Sequence, residues 1–293
     1  MNRIILATLF ATVALPAAAQ TTGNGLSFGG EVKLEYLDAN PRIWAFYGDV
    51  GANWRSGGLL GFDTSIETTR LDDGTDLSNY WAALVLSTGA GEFALGAPRP
   101  LVDSLNVMPK FSSSRVVDLE TSFFTGSMTS LFSMQDNGAT PGVTYSNTAG
   151  SLTYGGGYHH LNDGDNIDII EGVMQYKSGA MSLFIAGEYA NAEGPNLSLL
   201  QIGGLYDAER FDLGLALSQL HSSDTIHSLR LHGSVDVMDA LALRADALLI
   251  QDSSDIYSLS ATYSLPNGLF VEGGGTKIQN GNEVLDFGVG FKF

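Results

Sequence analysis

The chain of 293 residues has no cysteine, only 14 lysines and arginines against 32 acidic residues, 8 prolines and 3 tryptophans. Without cysteine there is no disulfide scaffold and no thiolate metal site. The scarcity of basic residues leaves a formal charge of −18, and no Lys/Arg run is present to hold a phosphate backbone. Nucleic acid is therefore excluded as a partner. Charged residues make up 16% of the chain and hydrophobic ones 44%, which excludes a disordered, charge-rich chain. After the first twenty residues no apolar run approaches the roughly 20 residues of a membrane-spanning helix.

The N-terminus differs in character from the rest of the chain. Arg3 precedes an apolar stretch, Ile4 to Pro16, and then Ala17-Ala18-Ala19. A basic start, a short apolar core and small residues before a cleavage point define a secretory signal. Residues 1–19 are expected to be removed, leaving 20–293 as the mature chain.

What the chain has in abundance is glycine, 36 residues of it, and a hydrophobic pattern of period two. Phe211, Leu213, Leu215 and Leu217 alternate with Asp212, Gly214 and Ala216. Leu241, Leu243, Ala245, Ala247 and Leu249 alternate with Ala242, Arg244, Asp246 and Leu248. In an extended chain such residues point to opposite faces, so each segment has one apolar and one polar face. Sixteen segments are expected as strands: 26–37, 43–55, 59–70, 78–88, 92–97, 142–147, 151–160, 166–177, 181–190, 197–206, 211–220, 225–237, 240–250, 255–264, 268–277 and 283–293. Tight turns such as Ser56-Gly57-Gly58 and Pro266-Asn267-Gly268 alternate with more polar connections such as Leu71 to Asp76 and Leu161 to Asp165. This is the pattern of an up-and-down meander with two different ends. Residues 98–141 break the rhythm. They are expected to form one long loop after the fifth strand; two further strands hidden there would make eighteen.

The polar face carries Lys33, Asp49, Asp63, Glu67, Asp212, Arg230, Asp246 and Asp286. Many strands of bilayer-spanning length, apolar on one side and charged on the other, fit an all-β transmembrane antiparallel barrel with a wet lumen. The last segment agrees: Leu285, Phe287, Val289, Phe291 and Phe293 share one face, and the chain ends on Phe293.

These features together resemble the general diffusion porins of Gram-negative bacteria. The resemblance rests on the signal segment, the first strand LSFGGEVKLEYL, the phrase GEFALGAPRP, the long third loop and the terminal FGVGFKF. In GEFALGAPRP, Ala97 stands where that family often has a basic residue, and Arg99 follows two places on. The resemblance implies a 16-stranded barrel in the cell outer membrane, a homotrimer, and a third loop folded inward to narrow the pore. It further implies that Phe287, Val289, Phe291 and Phe293 form a signal for the outer-membrane barrel-assembly machinery, and that lipid and lipopolysaccharide surround the wall.

Charges then suggest how the lumen works. Loop 98–141 carries Asp103, Lys110, Arg115, Asp118 and Glu120, of which Asp103, Asp118 and Glu120 are expected as the acidic side of a constriction. Lys33, Arg55, Arg99, Arg230 and Arg244 are expected as pore-lining bases facing it. Opposed charges across a narrow gap create a transverse field that orients small polar solutes. The acidic excess predicts a preference for cations. Enzyme readings are weak. His159 and His160 cannot point the same way on a strand, so they do not make a two-histidine metal site. Ser, His and Asp occur only separately. No cofactor is expected; the acidic runs Asp72 to Asp76 and Asp163 to Asp165 lack EF-hand spacing and at most hold Ca²⁺ weakly. A substrate-specific channel, and in a different class a barrel enzyme or adhesin, are the alternatives.

Overall fold

The computed structural model describes residues 25–163, 165–191, 196–279, 281 and 283–293. The expected export segment lies outside the described residues. The strands are β1 Gly25–Asp38, β2 Ile43–Arg55, β3 Leu60–Leu71, β4 Asp76–Thr88, β5 Gly91–Ala97, β6 Gly142–Ala149, β7 Leu152–Asp163 and β8 Asp165–Ser178. They continue as β9 Met181–Asn191, β10 Leu197–Asp207, β11 Phe211–His221, β12 Thr225–Met238, β13 Leu241–Ile250, β14 Ile256–Ser264, β15 Leu269–Ile278 and β16 Glu283–Lys292. Each strand pairs antiparallel with its sequence neighbours, and β1 pairs with β16, closing the barrel. Among the described residues the strand count is sixteen, and no strand forms in 98–141.

Side-chain parity follows the sequence. Leu84, Leu95 and Leu259 point outward and are more than 60% exposed, in a belt that runs round the whole wall. Apolar exposure on this scale is stable only against lipid. Inward positions hold the charges, among them Glu35, Glu67, Glu188, Arg230 and Asp246, all buried.

The two ends differ less than expected. Apart from 98–141, the second set of connections is also short, such as 39–42, 72–75 and 222–224. Polar residues near those ends read as loop in the sequence, but they continue the strands instead: the β7–β8 ladder runs on to Asp163 opposite Asp165. A backbone ladder satisfies both N–H and C=O groups, so polar side chains do not by themselves end a strand.

Segment 98–141 folds back into the barrel. It contains three helices, α1 Leu101–Ser104, α2 Arg115–Thr125 and α3 Met128–Gln135. The Ser114 hydroxyl accepts from Val117 N at the start of α2, and the Ser127 hydroxyl accepts from Ser130 N at the start of α3. Such serine caps satisfy N–H groups that the helix cannot.

The wall assignment predicts a depth dependence. Leu215→Arg, mid-strand and outward-facing, should cost about 2–4 kcal/mol in urea unfolding from lipid vesicles. Val237→Arg, outward beside a turn, should cost only about 0–1 kcal/mol.

Candidate functional site

Backbone groups of the loop reach the wall on every side. Residues 109–113 lie in no helix or strand, and wall bases satisfy several of their carbonyls. Arg230 donates to Pro109 O (2.6 Å), Arg244 to Lys110 O (2.6 Å) and Ser112 O (3.1 Å), and Lys33 to Ser113 O (2.6 Å). Wall glutamates take the opposite role. Glu171 accepts from Leu101 N and Val102 N (2.9 and 3.0 Å), and Glu35 accepts from Arg115 N (3.0 Å). Glu188 accepts from Met128 N (2.6 Å), Thr129 N (3.1 Å) and the hydroxyls of Ser127 and Thr129. Every one of these N–H groups lies in the first turn of a helix, where it has no partner of its own and where negative charge is favoured.

Apolar contacts complete the seating. Leu101, Val102 and Met108 pack on Val173, Phe184, Ala186 and Ala216; Met128 packs on Ile169 and Leu199; Phe111 and Val117 pack on Leu248. Two glycines permit the approach. A Cβ at Gly214 would sit 2.8 Å from Met108, and one at Gly274 would sit 2.6 Å from the Ser113 hydroxyl.

The loop packs on β7–β14 and also reaches β1 and β4, leaving open space beside the tight-turn half of β1–β6. A cavity of about 160 Å³ is lined by Glu67, Arg99, Asp103, Lys110, Arg115 and Asp118 among others. Toward the tight-turn end lie two larger ones, of about 480 and 490 Å³, which share Gly29, Gly51, Ser65 and Arg99. Arg99 lines all three. Around it the charges interlock. Arg99 pairs with Asp49 (3.2 Å) and Glu67 (3.6 Å), Arg115 with Glu67 (2.7 Å) and Asp118, and Lys110 lies 3.8 Å from Glu67. The Lys110 ammonium also meets the Tyr47 hydroxyl and stands over its ring. Burial opposes the charge on Arg99, but Glu67 and Asp49 outweigh it and raise its pKa above the usual arginine value. Asp103 accepts from the Ser130 hydroxyl. Burial raises its pKa above the usual carboxylate value; Arg99 opposes this and Glu67 adds to it.

The residues singled out in the sequence therefore fall in different places. Arg99, Asp103 and Asp118 come together at the cavities, with Asp118 held by Arg115 and by Phe111 N. Glu120 is exposed on α2. Lys33, Arg230 and Arg244 sit beneath the loop, and Arg55 lies toward the tight turns with Asp63 and Glu92. Phe287, Val289 and Phe291 face outward on β16, and Phe293 pairs by its backbone with Gly30. Sequence reasoning misses the contributions of Tyr47 and of the capping glutamates Glu35, Glu171 and Glu188. Their one sequence signal is a charge or aromatic at an inward position within a strand.

Other candidates resolve locally. His159 faces inward on Glu171 (2.9 Å), and His160 faces outward on Asp168 (2.8 Å). Sequence reasoning also passes over Gly25-Leu26-Ser27-Phe28-Gly29, which has nucleophile-elbow spacing; the stretch is extended within β1 and Ser27 bonds Asn53. An elbow requires a strand-to-helix turn. Among the described residues no group of three or more His, Asp or Glu side chains is placed to hold a metal ion.

A closed barrel with an apolar outer wall, a charged lumen and an inward-folded loop defines a membrane channel. The chain belongs to the Gram-negative porin family, whose model it matches over residues 6–292. It is thus an outer-membrane channel for solute diffusion, not an enzyme. None of the curated protein sequences matches it. Among solved structures it is similar to OmpF of Salmonella typhi in complex with daunomycin, at 14% identity and a TM-score of 0.70, covering 92% of this chain and 98% of that one. A mutant of the Rh. blastica porin gives 16% identity and a TM-score of 0.65, covering 92% and 100%. OmpT of Vibrio cholerae with loop L8 deleted gives 14% and 0.63, covering 92% and 98%. At these identities the likeness is one of fold.

Two outcomes are expected. Glu188→Ala orphans the N–H groups at the start of α3, at about 1–3 kcal/mol for each buried group left unpaired. It should loosen the loop, read as larger fluctuations of the open-channel current and a lower urea midpoint. Asp103 retains its proton to higher pH in the folded barrel than in the unfolded chain. Its contribution to stability is full below the unfolded carboxylate pKa and is lost as pH rises through the folded one. Asp103→Asn, which mimics the protonated acid, should therefore gain stability over wild type as pH is raised from about 4 to 7.

Proposed function

We propose that this barrel is a passive channel for ions and small hydrophilic solutes, that it prefers cations, and that it works as a homotrimer. The observation that carries the cation preference is the inward charge count. Acids such as Glu31, Asp49, Asp63, Glu67, Glu92 and Asp212 outnumber the inward bases. Fixed negative charge along a narrow passage concentrates cations. A substrate-specific channel would need an aromatic track along the lumen, and Tyr47 and Trp81 alone do not make one.

Trimer formation is supported by the outer face of β2–β4. Gly48, Ala52, Thr64, Thr68 and Ala82 stand there between larger outward residues such as Phe46, Phe62 and Leu84. Small residues let two backbones approach closely. Export through the cleaved segment 1–19 follows from its signal pattern. Recognition by the barrel-assembly machinery is read from the terminal aromatic face, where the rings of Phe291 and Phe293 stack at 5.9 Å. Lipopolysaccharide is the expected outer-leaflet neighbour. No cofactor is proposed. In the acidic run, Asp73 is occupied by Thr75 N (2.8 Å) and Asp76 by Arg70 (2.7 Å).

Purified protein in a planar bilayer should give stepwise ohmic conductance. Under a KCl gradient its reversal potential should show cation preference, weaker at about 1 M salt, where screening acts within about 3 Å. Silence would overturn the channel reading, and an anion-selective wild type the charge reading.

A further inference from the structure

The narrow zone carries its charges the other way round from the acidic loop and basic wall that the sequence suggests. On the wall, β2 and β3 present Asp49 and Glu67 at directly paired positions. Facing them, the inward-folded segment presents Arg99, Lys110 and Arg115, each within 4 Å of one of those carboxylates. Of the loop's own acids, Asp118 is spent on Arg115 and on Phe111 N, Asp103 is half-buried against the Ser130 hydroxyl, and Glu120 has no ion-pair partner among these groups. The wall's own bases lie elsewhere. Lys33 and Arg230 are 4% and 3% exposed, whereas the Lys110 side chain is 47% exposed and that of Arg99 32%. Lys33, Arg230 and Arg244 donate to the carbonyls of Pro109, Lys110, Ser112 and Ser113. By holding the backbone of 109–113 against β12–β16 and β1, they leave the Lys110 side chain to reach across toward Tyr47 and Glu67.

We infer that the field across this constriction runs from a basic loop to an acidic wall. Arg99 and Lys110 are the bases that passing solutes meet and so set selectivity. Lys33 and Arg230, both buried, are positioning residues that act on solutes only through the loop; Arg244, whose side chain is 25% exposed, holds the loop at its edge. This rests on the channel reading above. It assigns the two kinds of basic residue different electrical signatures: removing a selectivity base changes which ion passes, and removing a positioning base changes how steadily the passage stays open.

The test uses full-length protein in planar bilayers under a KCl gradient, comparing Lys110→Gln, Asp49→Asn, Arg230→Gln and Arg230→Lys. A unit charge a few ångströms from the ion path in water is worth about 1 kcal/mol. Lys110→Gln should therefore raise the cation-to-anion permeability ratio about two- to fivefold. Asp49→Asn should lower it, and both should keep a steady open level. Arg230→Gln should leave the ratio near wild type but make the open level fluctuate, and Arg230→Lys should restore steadiness. The inference is overturned if Arg230→Gln shifts the ratio as far as Lys110→Gln at a steady open level, or if Lys110→Gln leaves the ratio unmoved. A wild-type protein that does not conduct overturns the channel reading instead. Should Arg230→Gln fail to assemble, Lys33→Gln and Lys33→Arg give the same comparison at the Ser113 carbonyl.

Discussion

Everything in this molecule depends on the two terminal strands finding each other. In a bilayer an unpaired backbone N–H or C=O costs several kcal/mol, and only a closed ladder leaves none at an edge. Here closure runs from Glu31 opposite Lys292 to Asp38 opposite Leu285, and Gly30 and Phe293 exchange backbone hydrogen bonds beyond it. Closure also gathers chemistry that is far apart in sequence. Lys33 on the first strand, Glu272 on the fifteenth and Ser113 in the loop meet within hydrogen-bond distance because the sheet bends round to join them.

Within that ring the long loop acts as the core the barrel otherwise lacks. Phe184, Leu199 and Leu248 point inward, where water would leave them exposed, and the loop covers each of them. The polar contacts divide by sign. Wall carboxylates hold the N–H groups at the helix starts, and wall guanidinium and ammonium groups hold the carbonyls of the irregular stretch between helices. Both kinds of contact place a formal charge against a backbone group with no partner in the loop's own secondary structure, and charge-assisted bonds are the stronger class.

Sequence carried the wall well and the loop poorly, for physical reasons. Alternation is a local property of an extended chain, so the strand boundaries read from it fall within three residues of those observed. Segment 98–141 is legible only as an interruption. Its helices are short and their stability comes from contacts with strands up to 173 residues away, as between Ser113 and Asp286. For the same reason parity places Lys33, Arg230 and Arg244 on the lumen side, but not beneath the loop. Glu35, Glu171 and Glu188 look like ordinary lumen acids in the sequence because nothing local marks a carboxylate as a cap for a distant helix.

The brevity of the connections at both rims has an evolutionary consequence. A barrel whose ends are little more than turns has almost no tissue outside the membrane on which variation can accumulate without touching the ladder. New solute preferences in such a lineage must arise from the inward positions of β2 and β3 and from the single long insertion. An insertion pinned at so many points accepts substitutions of exposed side chains far more readily than changes in its length.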